Sequence, residues 1–166
     1  MILYLVRHAV AMEREDWDGS DEARPLTEEG IEKMKEAARG LVRTGLRAGR
    51  VFSSPLKRAR QTADILVKEL DLKKTELIES LAPGGAPPLV LKELAGLSDD
   101  ERVMLVGHEP DLGHLAAFLL GADHPLPFKK GAVMAIEFGG RPGQSRGEML
   151  WYMPTKIMRT LTAHSG

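Results

Sequence analysis

Arg7 and His8 close an unbroken apolar run, Ile2-Leu3-Tyr4-Leu5-Val6, and one glycine separates His108 from a second run, Val103-Met104-Leu105-Val106. Between them, Arg58 falls in the first turn of a helix that reads as opening at Ser54-Pro55. Two guanidinium groups, two imidazoles and the positive end of a helix dipole, brought together, suit a phosphoryl group. Arginine matches phosphate oxygens through paired N–H donors, helix N-termini favour anions, and a neutral imidazole is a nucleophile. Taken singly, each residue has a plainer reading. A histidine at a strand end commonly serves as a structural hydrogen-bonder, and a helix arginine is commonly solvated.

The surrounding pattern decides whether these groups can meet. Continuous apolar runs read as strands buried on both faces inside a parallel sheet, and the carboxyl ends of such strands open on the crevice where α/β sheets bind ligands. Strands are expected at Arg50-Val51-Phe52-Ser53 and Thr75-Glu76-Leu77-Ile78 as well. Thr27 reads as the N-cap of a helix that runs to about Thr44, with Ile31, Met34, Ala38, Leu41 and Val42 as its apolar stripe and Gly45 as its stop. The helix after Ser54-Pro55 turns Ala59, Thr62, Ala63 and Leu66 inward and continues to Leu70; further helices are expected over Leu89 to Leu97, Asp111 to Leu120 and from Pro154 onward. Val133 to Phe138 and Glu148 to Met153, joined by a Gly/Pro-rich turn, read as a hairpin at one edge. Alternating strands and helices predict a single domain over residues 1–166, a three-layer α/β/α arrangement whose mostly parallel sheet carries an antiparallel C-terminal edge hairpin. Three βα junctions of one parallel sheet share an edge, so His8, Arg58 and His108 can converge.

Composition narrows the partners. A net charge of −1, with 23 Lys+Arg against 24 Asp+Glu, leaves no basic field for nucleic acid or a membrane surface, so any anion site must be local. The absence of cysteine excludes disulfides, thiolate catalysis and Cys-ligated metal. No apolar stretch approaches the roughly 20 residues of a membrane helix, and the opening run is too short for a signal peptide. A cytoplasmic monomer is the default expectation.

Leu5-Val6-Arg7-His8, the string Ser54-Pro55-Leu56-Lys57-Arg58-Ala59-Arg60-Gln61-Thr62-Ala63 and Val106-Gly107-His108 resemble, in order, the motifs of the histidine phosphatase superfamily, which includes the cofactor-dependent phosphoglycerate mutases. That family usually has Arg-His-Gly at the first motif, whereas this chain has Ala9. With Arg24-Pro25-Leu26-Thr27 and Gly107-His108-Glu109-Pro110-Asp111-Leu112-Gly113, it is most similar to the SixA-type phosphohistidine phosphatase branch. The resemblance implies a phosphoglycerate mutase-like fold with His8 as a transiently phosphorylated nucleophile. Arg7, Arg58 and His108 would surround the phosphoryl oxygens, Ser54 would be a further phosphate ligand, and no metal or other cofactor would be needed because the arginines supply the positive charge. Arg7 and Arg58 are expected to lower the pKa of His8. Larger members of the superfamily place a glutamate proton donor after the third strand, where Glu79 stands, but its context departs from that pattern. The substrate expected is a phosphohistidine protein, with a small phosphorylated molecule as the alternative. A mutase and a phosphate-binding module without turnover also remain open.

Other strings have ordinary explanations. Gly143-Gln144-Ser145-Arg146-Gly147 has the letters of a nucleophile elbow but sits between two hairpin strands. His114 does not complete a zinc site with His108-Glu109, because its spacing is wrong and Pro110 intervenes. His124, His164 and Arg60 read as solvated, Lys129 and Lys130 as exposed or rimming the pocket, and Trp17 as a cleft wall or a surface anchor.

Overall fold

The computed structural model describes residues 1–162, and the expectation for His164 lies outside them. Its centre is a six-stranded sheet built from β1 (Ile2–Arg7), β2 (Arg50–Ser53), β3 (Thr75–Leu77), β4 (Arg102–Gly107), β5 (Val133–Glu137) and β6 (Glu148–Met153), in the order β3-β2-β4-β1-β5-β6. The first four are mutually parallel; β5 runs antiparallel to β1, and β6 antiparallel to β5 at the edge.

Alternation along the buried strands sorts their side chains into two cores. Leu3 and Leu5 of β1, with Val103 and Leu105 of β4, pack under α3 (Pro87–Leu94) and α4 (Asp111–Leu120), where Val90, Leu112, Leu115 and Leu119 meet them. Tyr4 and Val6, with Met104 and Val106, face α1 (Glu28–Arg43), α2 (Lys57–Glu69) and α5 (Thr155–Thr160) through Met34, Leu41, Ala59, Leu66 and Met158. Helices therefore cover both faces, as the βαβ alternation requires. None of the described helices is long and apolar enough to cross a membrane.

Several boundaries differ from the sequence pattern. Ser54-Pro55 does not begin α2. The helix starts at Lys57 after Leu56, and the Ser54 hydroxyl accepts a hydrogen bond from Leu56 N at 3.2 Å just before it. Pro87 and Pro88 open α3 two residues earlier than expected, since proline suits a first turn whose N–H groups have no helical partner. That helix stops at Leu94, and Leu97 is buried in the following turn. Val42 lies outside the stripe of α1, 48% exposed, because it falls off the face set by Met34, Ala38 and Leu41. Thr27 does cap α1, accepting from Gly30 N at 2.9 Å.

Gly40 marks a close helix contact: a Cβ there would stand 1.8 Å from the carbonyl oxygen of Met158 in α5. Only a missing side chain lets α1 and α5 approach this far. Gly40→Ala is expected to destabilise the protein by about 2 kcal/mol or more through overpacking, read as a lower urea midpoint; an unchanged midpoint would contradict this packing.

Candidate functional site

β1 and β4 pair in parallel with Arg7 opposite Gly107, so the residues that follow them, His8 and His108, emerge side by side. His8 N donates to the Gly107 carbonyl at 3.0 Å, and the ring centroids are 5.2 Å apart at 56°. β2 ends on the same edge and hands over to Ser54 and α2, whose second residue is Arg58. Arg7, His8, Arg58 and His108 line one pocket of about 350 Å³.

Each group is held by specific partners. The Nδ1 of His8 lies 2.7 Å from the Ala9 carbonyl, which can only accept, so Nδ1 carries the ring hydrogen and Nε2 keeps its lone pair. Thr62 of α2 secures Ala9 from the other side, its hydroxyl accepting from Ala9 N at 3.0 Å and donating to the Arg58 carbonyl at 2.8 Å. Arg58 is only 5% exposed. Its guanidinium donates to the Asp21 carbonyl and to Asp21 Oδ2, at 2.8 and 3.0 Å. Arg7 Nη1 donates to the Phe128 carbonyl at 2.8 Å. His108 Nε2 is 2.7 Å from Ser54 Oγ, so Ser54 reaches the pocket through His108. Among the described residues, four buried side-chain N or O atoms have no hydrogen-bond partner, and three of them are Arg7 Nε, Arg58 Nε and His108 Nδ1.

Electrostatics keep both imidazoles neutral. Burial is the chief cause of the fall in the His8 pKa to about 4; the Ala9 carbonyl opposes it, and the charges of Arg58, Arg7 and Arg24 add to it. The arginines expected to set this value are therefore secondary to desolvation. His108 falls to about 3, again mainly through burial, with His8 and Arg58 contributing.

Asp21, Arg24 and Glu109 are pocket residues to which the sequence reading gave no role. Asp21 stands in the polar stretch from Glu13 to Arg24, which reads in the sequence as an exposed excursion able to wall a cleft, and it bridges two cations, accepting from Arg24 Nε at 3.0 Å as well as from Arg58. Burial works against its ionisation, but the hydrogen bonds from Arg24 and Arg58 outweigh it and hold the carboxyl below its ordinary value. Arg24 itself lines the pocket and donates to the Met12 carbonyl at 2.6 Å. Glu109 lines it too, with its pKa raised by burial against the pull of the Phe128 N–H and Arg7. The quoted string around Arg24 and the glutamate following His108 were the signals available; Asp21 carried none, since its partners lie on other elements.

The remaining candidates sit elsewhere. Glu79 opens a short 3-10 turn after β3 and lines a neighbouring depression, which shares Asp21 and Pro83 with the histidine pocket but does not contain His8. Lys130 rims the pocket, 3.4 Å from Glu13, while Lys129 is exposed. Trp17 folds onto its own loop, donating from Nε1 to the Ser20 carbonyl at 2.9 Å. His114 Nδ1 donates to the Pro110 carbonyl at 2.9 Å; His124, Arg60 and Ser145 are exposed, Ser145 between β5 and β6. No group of His, Asp and Glu fit to hold a metal ion occurs among the described residues.

A family model for the histidine phosphatase superfamily (branch 1) matches residues 3–82. The chain is 37% identical to an uncharacterized protein of Picosynechococcus sp., over 84% of this chain and 86% of that protein. It is 30% identical to the phosphohistidine phosphatase SixA of Escherichia coli, over 82% of this chain and 84% of the other. A solved structure of the protein histidine phosphatase SixA complexed with tungstate superposes with a TM-score of 0.82 at 27% identity, covering 94% of this chain and 98% of that one.

With pKa values of about 4 and about 3 against an ordinary 6.5, His8 and His108 bind protons more readily in the unfolded chain. Stability contributed by keeping them neutral is thus complete above about pH 7 and declines as pH falls from 6.5 to about 4 for His8 and to about 3 for His108. An NMR titration is expected to find both rings neutral at pH 5.5, with the urea midpoint falling below pH 6.5; midpoints near 6.5 for either ring would refute the burial argument.

Proposed function

Because the chain belongs to the histidine phosphatase superfamily, on its SixA-type branch, we propose that it is a phosphohistidine phosphatase working through a phosphorylated His8. The observation that carries this reading is the convergence of two guanidinium groups, Arg7 and Arg58, and the His108 imidazole on one pocket with the unprotonated Nε2 of His8. An oxyanion satisfies such donors, and tungstate, the ligand of the superposed SixA structure, is a tetrahedral oxyanion.

In the first step, His8 Nε2 attacks phosphorus and the bond to the leaving group breaks in line. In the second, water attacks the phosphohistidine, releasing inorganic phosphate and restoring His8. Arg7 and Arg58 stabilise the charge on the equatorial oxygens in both steps, from positions already fixed before substrate arrives. His108 adds a third donor. The Ser54 hydroxyl already accepts from Leu56 N, and by giving its proton to His108 Nε2 it leaves the ring hydrogen on Nδ1.

The substrate class follows from where protons are held. An alkoxide leaving group needs a general acid, whereas an imidazole leaves with little help once its far nitrogen is protonated. Of the carboxyl groups lining the pocket, Asp21 is kept ionised by two arginines, Glu13 is exposed beside Lys130, and Glu109 is hydrogen-bonded to the Phe128 main chain. Glu79 faces the adjoining depression. None is a proton source aimed at the leaving group, so the site favours P–N over alkyl P–O cleavage. The arginine clamp makes a metal unnecessary.

In excess chelator, the protein is expected to hydrolyse protein phosphohistidine with kcat/KM at least about 100-fold above that for alkyl phosphates, the general-acid contribution the esters lack. An acid-labile, alkali-stable phosphoenzyme should form and vanish in His8→Ala, and Glu79→Gln should stay within about threefold of the parent. Equal rates on esters would point to a small-molecule phosphatase, no phosphoenzyme to a binding module, and loss of activity in Glu79→Gln to a proton donor on that loop.

A further inference from the structure

Gly107-His108-Glu109-Pro110-Asp111-Leu112-Gly113 has so far contributed only His108 to the chemistry, yet Glu109 is the next residue and lines the same pocket. Its Oε1 accepts from Phe128 N at 3.1 Å, and the Phe128 carbonyl accepts from Arg7 Nη1 at 2.8 Å. The two groups thus hold opposite sides of one residue's main chain. Among the described residues, the Phe128 carbonyl is the one hydrogen-bond partner of the Arg7 guanidinium, whereas Arg58 is held twice by Asp21. The direction in which Arg7 presents its remaining N–H groups therefore depends on where Phe128 sits.

The connection is built to bring Glu109 into place. Gly113 in α4 lies against it: a Cβ at that position would stand 3.2 Å from Glu109 Oε2 and 2.9 Å from the Leu126 carbonyl. Leu126 N donates back to the Gly113 carbonyl at 3.1 Å, so the chain entering Phe128 is drawn onto the start of α4. Beyond Phe128, Lys129 N donates to the Tyr152 hydroxyl at 2.9 Å, Gly131 N to the His8 carbonyl at 3.0 Å, and Arg7 N to the Ala132 carbonyl at 3.1 Å. The segment is an arch whose far foot rests on the end of β1 and whose near foot rests on the Gly113 carbonyl and the Glu109 carboxylate.

We propose that Glu109 is a positioning residue that sets the Arg7 guanidinium over the phosphoryl site through the Phe128 main chain, coupling the β4–α4 junction that carries His108 to the β1 end that carries His8. The assignment rests on the reading of this pocket as an oxyanion site. Glu109 acts by its hydrogen bond and not by giving up a proton, which accounts for a glutamate at the pocket wall of an enzyme that favours leaving groups needing no acid. Its demand is for an acceptor at a fixed reach. Gln meets that demand, while Asp, one methylene shorter, draws the acceptor away from Phe128 N.

The test is a double-mutant cycle read by tungstate affinity in calorimetry and by kcat/KM on phosphohistidine, with thermal melts to confirm folding. Glu109→Ala and Glu109→Asp are each expected to weaken tungstate binding and kcat/KM about tenfold, the scale of one buried hydrogen bond to a charged group, and Glu109→Gln to stay within about twofold. In an Arg7→Ala background, Glu109→Ala should add less than about twofold, because the residue it positions is gone. If Glu109→Ala does not fold, Glu109→Asp completes the same cycle. An undiminished loss in the Arg7→Ala background would reduce Glu109 to a general stabiliser and overturn the proposal. So would a Glu109→Gln variant as impaired as Glu109→Asp, the result expected of a proton donor or a required charge. Parent protein that binds tungstate without turnover would overturn the phosphatase reading alone, since the cycle on tungstate affinity still decides the role of Glu109; parent protein that binds none would overturn both.

Discussion

The parallel register of β1 on β4 sets Arg7 against Gly107 and so brings two histidines far apart in the chain to ring contact at the sheet edge. Because strand side chains alternate between faces, a slip of one residue would send His8 toward the opposite layer and bury Leu5 where Val6 now packs. The register is enforced along its whole length by the two cores, since Leu3 and Leu5 fit only one face and Tyr4 and Val6 only the other. The geometry of the pocket is a by-product of strand packing. The same burial that fixes the imidazoles also deprotonates them, because a charged ring at that depth would lose more hydration than its neighbours could replace.

Two fully charged arginines at the same edge would be an expensive arrangement by themselves. Arg58 stands in the first turn of α2, where the helix dipole opposes a cation. Asp21 offsets this with its carbonyl and carboxylate, and it ties Arg24 into the same cluster. The polar excursion that delivers Asp21 is pinned to α2 by Lys57 N on the Glu22 carbonyl at 2.8 Å and Leu26 N on Gln61 Oε1 at 2.8 Å. It forms part of the site's wall and its charge balance together. Arg7 is treated differently, held through Nη1 from the main chain of the arch over β1.

This distribution of charge shapes the chemistry. Carboxylates surround the pocket, yet each is committed to a cation, to solvent or to a backbone N–H. A site rich in fixed positive donors and poor in mobile protons stabilises phosphoryl transfer well and assists a basic leaving group badly. On the function proposed above, this balance suits a substrate whose own leaving group is an imidazole.

Much of the frame was legible in the chain itself. Unbroken apolar runs marked β1 and β4, helical spacing marked the inner face of α2, and Asp111 to Leu120 matched α4 at both ends. His8, Arg7, His108 and Arg58 could be picked out because each stands where a local pattern stops, and local patterns depend only on neighbours in sequence. What tertiary structure alone decided has long-range causes. The Ser54 hydroxyl, expected at a helix start, stands against His108, Asp21 reaches from its loop to join two arginines, and Glu109 finds a main-chain N–H 19 residues away. Burial, not the arginines, became the main influence on His8. Periodicity tells which face of an element is buried, but the partner of a polar side chain and the depth of an imidazole depend on how separate elements pack, and that packing is written in no single stretch of residues.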